Sequence, residues 1–248
     1  MAVQRGDVDP GRIRDRVHAG SGATLGLIAV GLAFLAIFGW FEFRSAAPLV
    51  NMHTFMRRPV LTTNISTLLI GSAIISTFVL VPMLAQLPES SGVDFGLSAT
   101  QSVLLLVPGG LLSLALAPVV GRVGEQMGSK LPFFVGCVVT AGALTGMAFA
   151  HGSVGLVILW ACFVSAGVGA VFAAVPNLLV NAVDTHETGE ATGVNTIMRN
   201  IGSAIGSQLA ATMLAGHLVA SGLPGDLGFE LAFIVGAGGA FVAACACC

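Results

Sequence analysis

Charge is what this sequence has least of. Only 9% of its 248 residues are Asp, Glu, Lys or Arg, where an ordinary soluble domain has about 25%. Hydrophobic residues make up 55%, and a soluble fold of this length needs a charged surface that this chain cannot supply. The composition therefore points to an integral membrane protein. A surplus of positive charge is missing too. Ten basic residues stand against twelve acidic ones, so no basic patch exists to neutralise phosphates, which argues against nucleic acid as a partner.

Acidic residues are absent from the depth of every apolar run: Glu42, Glu89, Glu125 and Glu230 all sit at or near ends. Proton coupling needs a titratable group reached from both sides. His151 and His217, in or beside turns on the side away from the basic loops, are poor replacements. There is no phosphate-binding glycine loop, no H-E-x-x-H and no G-x-S-x-G on a strand-turn-helix. Nothing supports an ATP-driven pump, a familiar hydrolase or a bound cofactor, and no enzymatic activity is expected. Of the five cysteines, Cys137 and Cys162 lie inside apolar runs and read as small packing residues. Cys245, Cys247 and Cys248 crowd the C-terminus without a second ligand cluster, which is poor zinc spacing.

What is present is a series of apolar runs, at 24–41, 60–86, 100–120, 131–150, 154–177, 191–215 and 229–248. Each is about 20 residues, enough to cross a hydrocarbon core of about 30 Å as helix. Barrel strands would be about half as long and would alternate. The expectation is an all-α membrane protein of about seven spans. The fourth and fifth spans, separated only by His151, Gly152 and Ser153, should be antiparallel neighbours. Gly, at 33 residues, is about twice as frequent as usual, as suits closely packed membrane helices. Pro108, Pro118 and Pro176 are expected to kink or end helices.

Residues 1–23 form a polar tail with Arg5, Arg12, Arg14 and Arg16, and no cleavable signal peptide is evident. Arg44, Arg57, Arg58, Arg122 and Lys130 put the loops 42–59 and 121–130 in the cytoplasm by the positive-inside rule. That count would export the arginine-bearing tail. The conflict suggests that the tail is not the natural start and that further helices preceded it.

GRVGEQMGSK, residues 121–130, is a polar knot between two apolar runs. Gly121 would let a helix end turn sharply, while Glu125 could meet a helix N-terminus or a basic partner. Arg122, Gly128 and Lys130 complete the knot. It reads equally as a conformational latch or as a solvated turn obeying the positive-inside rule. In the sixth run, Asn195, Arg199, Gly202, Gly206 and Ala210 share one helical face. Gly202 and Gly206 make a small-residue packing strip, so this face should meet protein. An arginine there is a functional candidate, the plain alternative being that it snorkels to the headgroups. Asn64, Thr67 and Gly71 share a face of the second run and either line a polar cavity or bond to a neighbouring helix. Gln208 points to the opposite face and carries no assigned role.

The 121–130 segment resembles the signature loop of the major facilitator superfamily, Gly-x-x-x-Asp-Arg-x-Gly-x-Arg/Lys. Gly121, Gly128 and Lys130 match, Glu125 stands where Asp is usual, and Gln126 departs from Arg. GEATGVNTIMRNIGSAIG (189–206), EFRSAAPLVNMHTFMRR (42–58), LLLVPGGLLSLALAPVVGR (104–122) and the Pro176 turn before a 178–190 loop are similar to the superfamily's drug:proton antiporters with fourteen spans. The likeness covers about residues 24–240.

It implies a linker helix and basic-side loop (24–59), then a six-helix C-terminal half (60–248), with the first seven helices missing. By resemblance the chain is part of a proton-coupled efflux antiporter of the bacterial inner membrane, carrying lipophilic or cationic small molecules. Asn195, Arg199 and Asn64 would face the substrate or coupling cavity, and the 121–130 loop would regulate closure. The family's main acidic residues and its glycine-proline antiporter motif belong to earlier helices and do not appear here. Transport would then require the N-terminal half or a homodimer. A different class stays open, that of a transport-incompetent remnant or a membrane structural or interaction protein. A seven-helix receptor fits poorly, since the last run has no lysine and no signalling loop is recognisable.

Overall fold

A computed structural model describes residues 55–87, 95–218 and 224–247, with scattered helical residues between 26 and 44. The chain divides into two units, Met1–Asn51 and Met52–Cys248. In the first, the Arg44 guanidinium lies 4.6 Å from the Trp40 ring centroid, a cation–π contact. The tail 1–23 and much of the expected linker helix at 24–41 lie outside the described residues.

The second unit is built from helices α1 (Arg58–Phe78), α2 (Leu80–Ala85), α3 (Ala99–Leu104) and α4 (Val107–Met127). They are followed by α5 (Lys130–Phe149), α6 (Val154–Val180), α7 (Thr188–Gly216) and α8 (Asp226–Cys247). A 3₁₀ turn at Thr185–Glu187 leads into α7. Among the described residues there is no strand, only an isolated bridge between Leu218 and Pro224. Five segments are long and apolar enough to cross a membrane: Arg58–Ala85, Ala99–Met127, α5, α6 and α8. The 29 residues of α7 are also long enough, but Asn195, Arg199, Asn200 and Gln208 make it more polar than the others. The protein is an all-α, multi-pass membrane protein.

Prolines set two breaks within the long crossings. Pro82 has no N–H for the Phe78 carbonyl and its ring crowds that oxygen, so α1 ends at Phe78 and helix resumes at Leu80. Pro108 stands in the same relation to Leu104, where α3 ends, and opens α4 at its first turn. Ser98 and Gln101 start α3 with a reciprocal capping box. Pro118 and Pro176 are instead enclosed within α4 and α6. The turn expected at Pro176 is therefore corrected: α6 runs on to Val180, and the loop expected over 178–190 contracts to 181–187.

The turn at 150–153 makes α5 and α6 antiparallel neighbours. Ser153 caps α6 by accepting the Leu156 N–H, and the Trp160 indole donates to the Ala150 carbonyl at 3.0 Å. The main packing pairs are α1 with α7 and α8, α5 with α6 and α8, and α4 with α6. Leu84, Leu144, Met147, Val157, Phe229 and Phe233 lie in one buried cluster. Phe133, Cys137, Val171, Leu179 and Ala243 lie in a second, and Phe172 packs against both.

Candidate functional site

The seam between α1 and α7 gathers the buried polar side chains of Asn64, Thr67 and Asn195. It is closed tightly because two glycines leave room for backbone. A methyl group at Gly202 would run into the Leu68 carbonyl, and one at Gly206 would sit 2.6 Å from Ser72 Cα. Gly71 does the same from α1, where a methyl would lie 2.5 Å from the Arg199 carbonyl oxygen. At this separation side chains of one helix reach the other. Ser203 Oγ donates to the Gly71 carbonyl at 3.1 Å. Asn195 Nδ2 donates to Asn64 Oδ1 at 2.9 Å and to Thr67 Oγ1 at 3.0 Å. Thr67 Oγ1 in turn donates to the Thr63 carbonyl at 2.9 Å.

Asn64, Thr67 and Asn195 are all buried. Of the two sequence readings of Asn64 and Thr67, a cavity face or a bond to a neighbouring helix, the geometry displays the second. Asn195 spends its amide hydrogens on Asn64 and Thr67 between α1 and α7, while Asn64 Nδ2 is buried with no hydrogen-bond partner among the described residues.

Arg199 lies on the same side of α7, half-buried, with its guanidinium carbon 5.1 Å from the centroid of the Phe172 ring on α6. It is the twelfth residue of α7, about 16 Å along the helix axis from its start. The aromatic face offers the cation a partner there. Phe172 was not singled out in the sequence. Its only signal was an aromatic ring in an apolar run, and nothing in that run points to α7.

The 121–130 segment differs from the expected loop. Gly121, Arg122 and Glu125 belong to α4, which continues to Met127. The turn is made at Gly128, with φ +87°, a backbone region that favours glycine. Gly121 is therefore corrected from a turn residue to an ordinary helical one with open space beside it. The reason is that the helix needs no break until a residue adopts positive φ, and Gly128 is the one that does. Arg122, Glu125 and Lys130 are exposed. Among the described residues they form no ion pair. Glu125 sits in the last turn of α4 and Lys130 opens α5, each at the helix end its charge disfavours.

At the opposite end of the bundle, His151 in the α5–α6 turn meets Asp226, the first residue of α8, at 2.6 Å. Asp226 was passed over in the sequence. A carboxylate opening an apolar run after Pro-Gly was its only signal.

The family model of the Major Facilitator Superfamily matches residues 22–207 of this sequence. The multidrug resistance protein Stp of Mycobacterium tuberculosis is 25% identical over 193 residues, which is 75% of this chain and 34% of that protein. The lincomycin resistance protein LmrB of Listeria monocytogenes is 24% identical over 200 residues, 79% of this chain and 41% of the relative. The tetracenomycin C resistance and export protein of Streptomyces glaucescens is 24% identical over 197 residues, covering 79% and 36%. The matched region thus spans between 34% and 41% of the length of these relatives.

Proposed function

Because the chain belongs to the Major Facilitator Superfamily, we propose that it supplies the C-terminal six-helix half, with one linker helix before it, of a proton-coupled efflux transporter in a bacterial inner membrane. The observation that carries this reading is the likeness to proteins named for resistance and export, extending over three-quarters of the chain. Each of them is much longer, so the remaining helices would come from an N-terminal half or from a second copy. The activity is transport of a small molecule across the bilayer, not catalysis.

Arg199 and its Phe172 platform form the wall of the substrate path in this proposal. An arginine on an aromatic ring suits lipophilic neutral or anionic molecules. A cationic substrate would need a carboxylate from the other half, since the spans of this chain hold none at depth. Asn64 and Asn195 hold the wall together, positioning Arg199 one helical turn beyond Asn195. The exposed charges of Arg122, Glu125 and Lys130 are available to a partner across the half, as a latch requires. Their disfavoured helix ends support that role, because a merely solvated turn would gain from the reverse arrangement.

The test is a chimera joining this chain to the N-terminal portion of the Streptomyces glaucescens exporter, in a host stripped of its own pumps. Dye efflux should fall about tenfold or more in Arg199→Ala, equivalent to about 1.4 kcal/mol, and should slow in Glu125→Gln. Unchanged efflux in both variants at equal expression would remove the two assignments. No efflux from any well-expressed chimera would favour a structural role in the membrane.

A further inference from the structure

His151 has both ring nitrogens turned toward oxygen acceptors. Nδ1 lies 2.8 Å from the Met147 carbonyl oxygen, which can only accept. Nδ1 therefore carries a hydrogen. Nε2 lies 2.6 Å from Asp226 Oδ1, within hydrogen-bond reach. A neutral imidazole with its hydrogen on Nδ1 would set a lone pair against an ionised carboxylate. A second proton on the ring would turn that repulsion into a hydrogen bond. Asp226 is the first residue of α8, where the free N–H groups favour negative charge, so a proton shared by the pair would sit on Nε2, in an imidazolium–carboxylate bond.

The burial is asymmetric in a way that suits proton exchange. The His151 side chain is 8% exposed and that of Asp226 is 52% exposed. Water on the side away from the basic loops reaches the carboxylate, while the ring is held among packed side chains. The other ionisable groups around the pair are few. The end of α7 brings His217, whose Nδ1 is 2.9 Å from the Met213 carbonyl, and α8 brings Glu230 one turn beyond Asp226. No other charged side chain lies on α2 or α3, on the last turns of α5, or on the first turns of α6. Glu89 and Asp94 lie outside the described residues.

We propose that His151 and Asp226 form a proton-binding site that ties the α5–α6 turn to the start of α8, closed with the proton bound and released when it leaves. On release, the proton passes from Nε2 to water, and the facing lone pair and carboxylate then repel each other. Nδ1 keeps its bond to Met147, so the ring stays with α5 and the start of α8 is freed. The site needs no transport activity and stands apart from the reading of Arg199 and Glu125.

The full chain, purified in detergent, is unfolded thermally between about pH 5 and about pH 8, the range over which histidine changes charge. His151→Gln and Asp226→Asn are compared with the unaltered protein. Asparagine at 226 can accept from or donate to the ring, so it keeps a contact without the extra charge. The unaltered protein should lose a further 2–4 °C or so of Tm across this range relative to both variants, about the size of one such bond in a chain of this length. Parallel Tm profiles in all three would overturn the proposal. Should a variant fail to fold, the unaltered protein decides by NMR of labelled histidine. A downfield, exchange-protected Nε2–H signal that is present at acidic pH and lost as the pH rises supports the site. Its absence throughout overturns it.

Discussion

Asn195 uses both hydrogens of one amide on a single neighbour helix, one on Asn64 Oδ1 and one on Thr67 Oγ1. Truncating it strands two buried acceptors whose ordinary cost is about 1–3 kcal/mol each. Between membrane helices the net worth is smaller, about 0.6 kcal/mol on average, because the unfolded chain in the membrane also finds partners. Asn195→Ala is therefore expected to destabilise by about 1–2 kcal/mol, read by unfolding in mixed micelles. Asn64→Ala together with Asn195→Ala should cost less than the sum of the two by at least about 0.6 kcal/mol. Strict additivity would mean that the two amides do not support each other. At this scale the sequence was only partly legible. It placed Asn64 and Thr67 on one face and Asn195 and Arg199 on another, because helical period alone does that. It could not join the faces, which are about 130 residues apart in the chain, nor bring Asp226 to His151, 75 residues away. Such pairings follow from packing, and no local pattern encodes them.

Elements were more legible than residues, since a run of about twenty apolar side chains has one common use in a bilayer. The exceptions have local causes. Pro82 and Pro108 divide two crossings by removing a donor, and α7 trades apolar residues for a polar strip that its neighbour satisfies. The signature-like spacing at 121–130 suggested a turn at Gly121, yet spacing does not report φ, and the turn formed at Gly128. For the α1–α7 pair the small-residue strip gives a sharp expectation. Gly202→Ala must push Leu68 backbone away, whereas Gly193→Ala, also in α7, meets nothing within 4 Å. The second substitution should be neutral or slightly stabilising, because alanine favours helix over glycine by up to about 1 kcal/mol. The first should destabilise by about 1–3 kcal/mol, the usual cost of overpacking. Comparable midpoints for the two variants would show that α1 and α7 are not in backbone contact.

At the scale of the whole bundle the crossings alternate, and that alternation fixes which connections share a side. The start of α1, the α4–α5 turn and the α6–α7 loop lie at one end, while the α5–α6 and α7–α8 turns lie at the other. The first end carries Arg57, Arg58, Arg122 and Lys130; the described turns of the other carry no lysine or arginine. Asp184, Glu187 and Glu190 share the basic end, but acidic residues contribute little to orientation. The arginines of the tail lie outside the described residues and do not enter this count. The basic end is thus expected in the cytoplasm. Single cysteines test this in a background whose five native cysteines are changed to serine. Gln126→Cys and Thr185→Cys should resist a membrane-impermeant maleimide in intact cells and react once the cells are opened. Gly152→Cys should react in intact cells. All three sites are exposed, so labelling reports side and not burial. A uniform reversal would invert the protein and set the His151–Asp226 pair in the cytoplasm. Opposite behaviour at positions 126 and 185 would be more serious, since α5 and α6 could not then both cross, and the bundle would have to be redrawn.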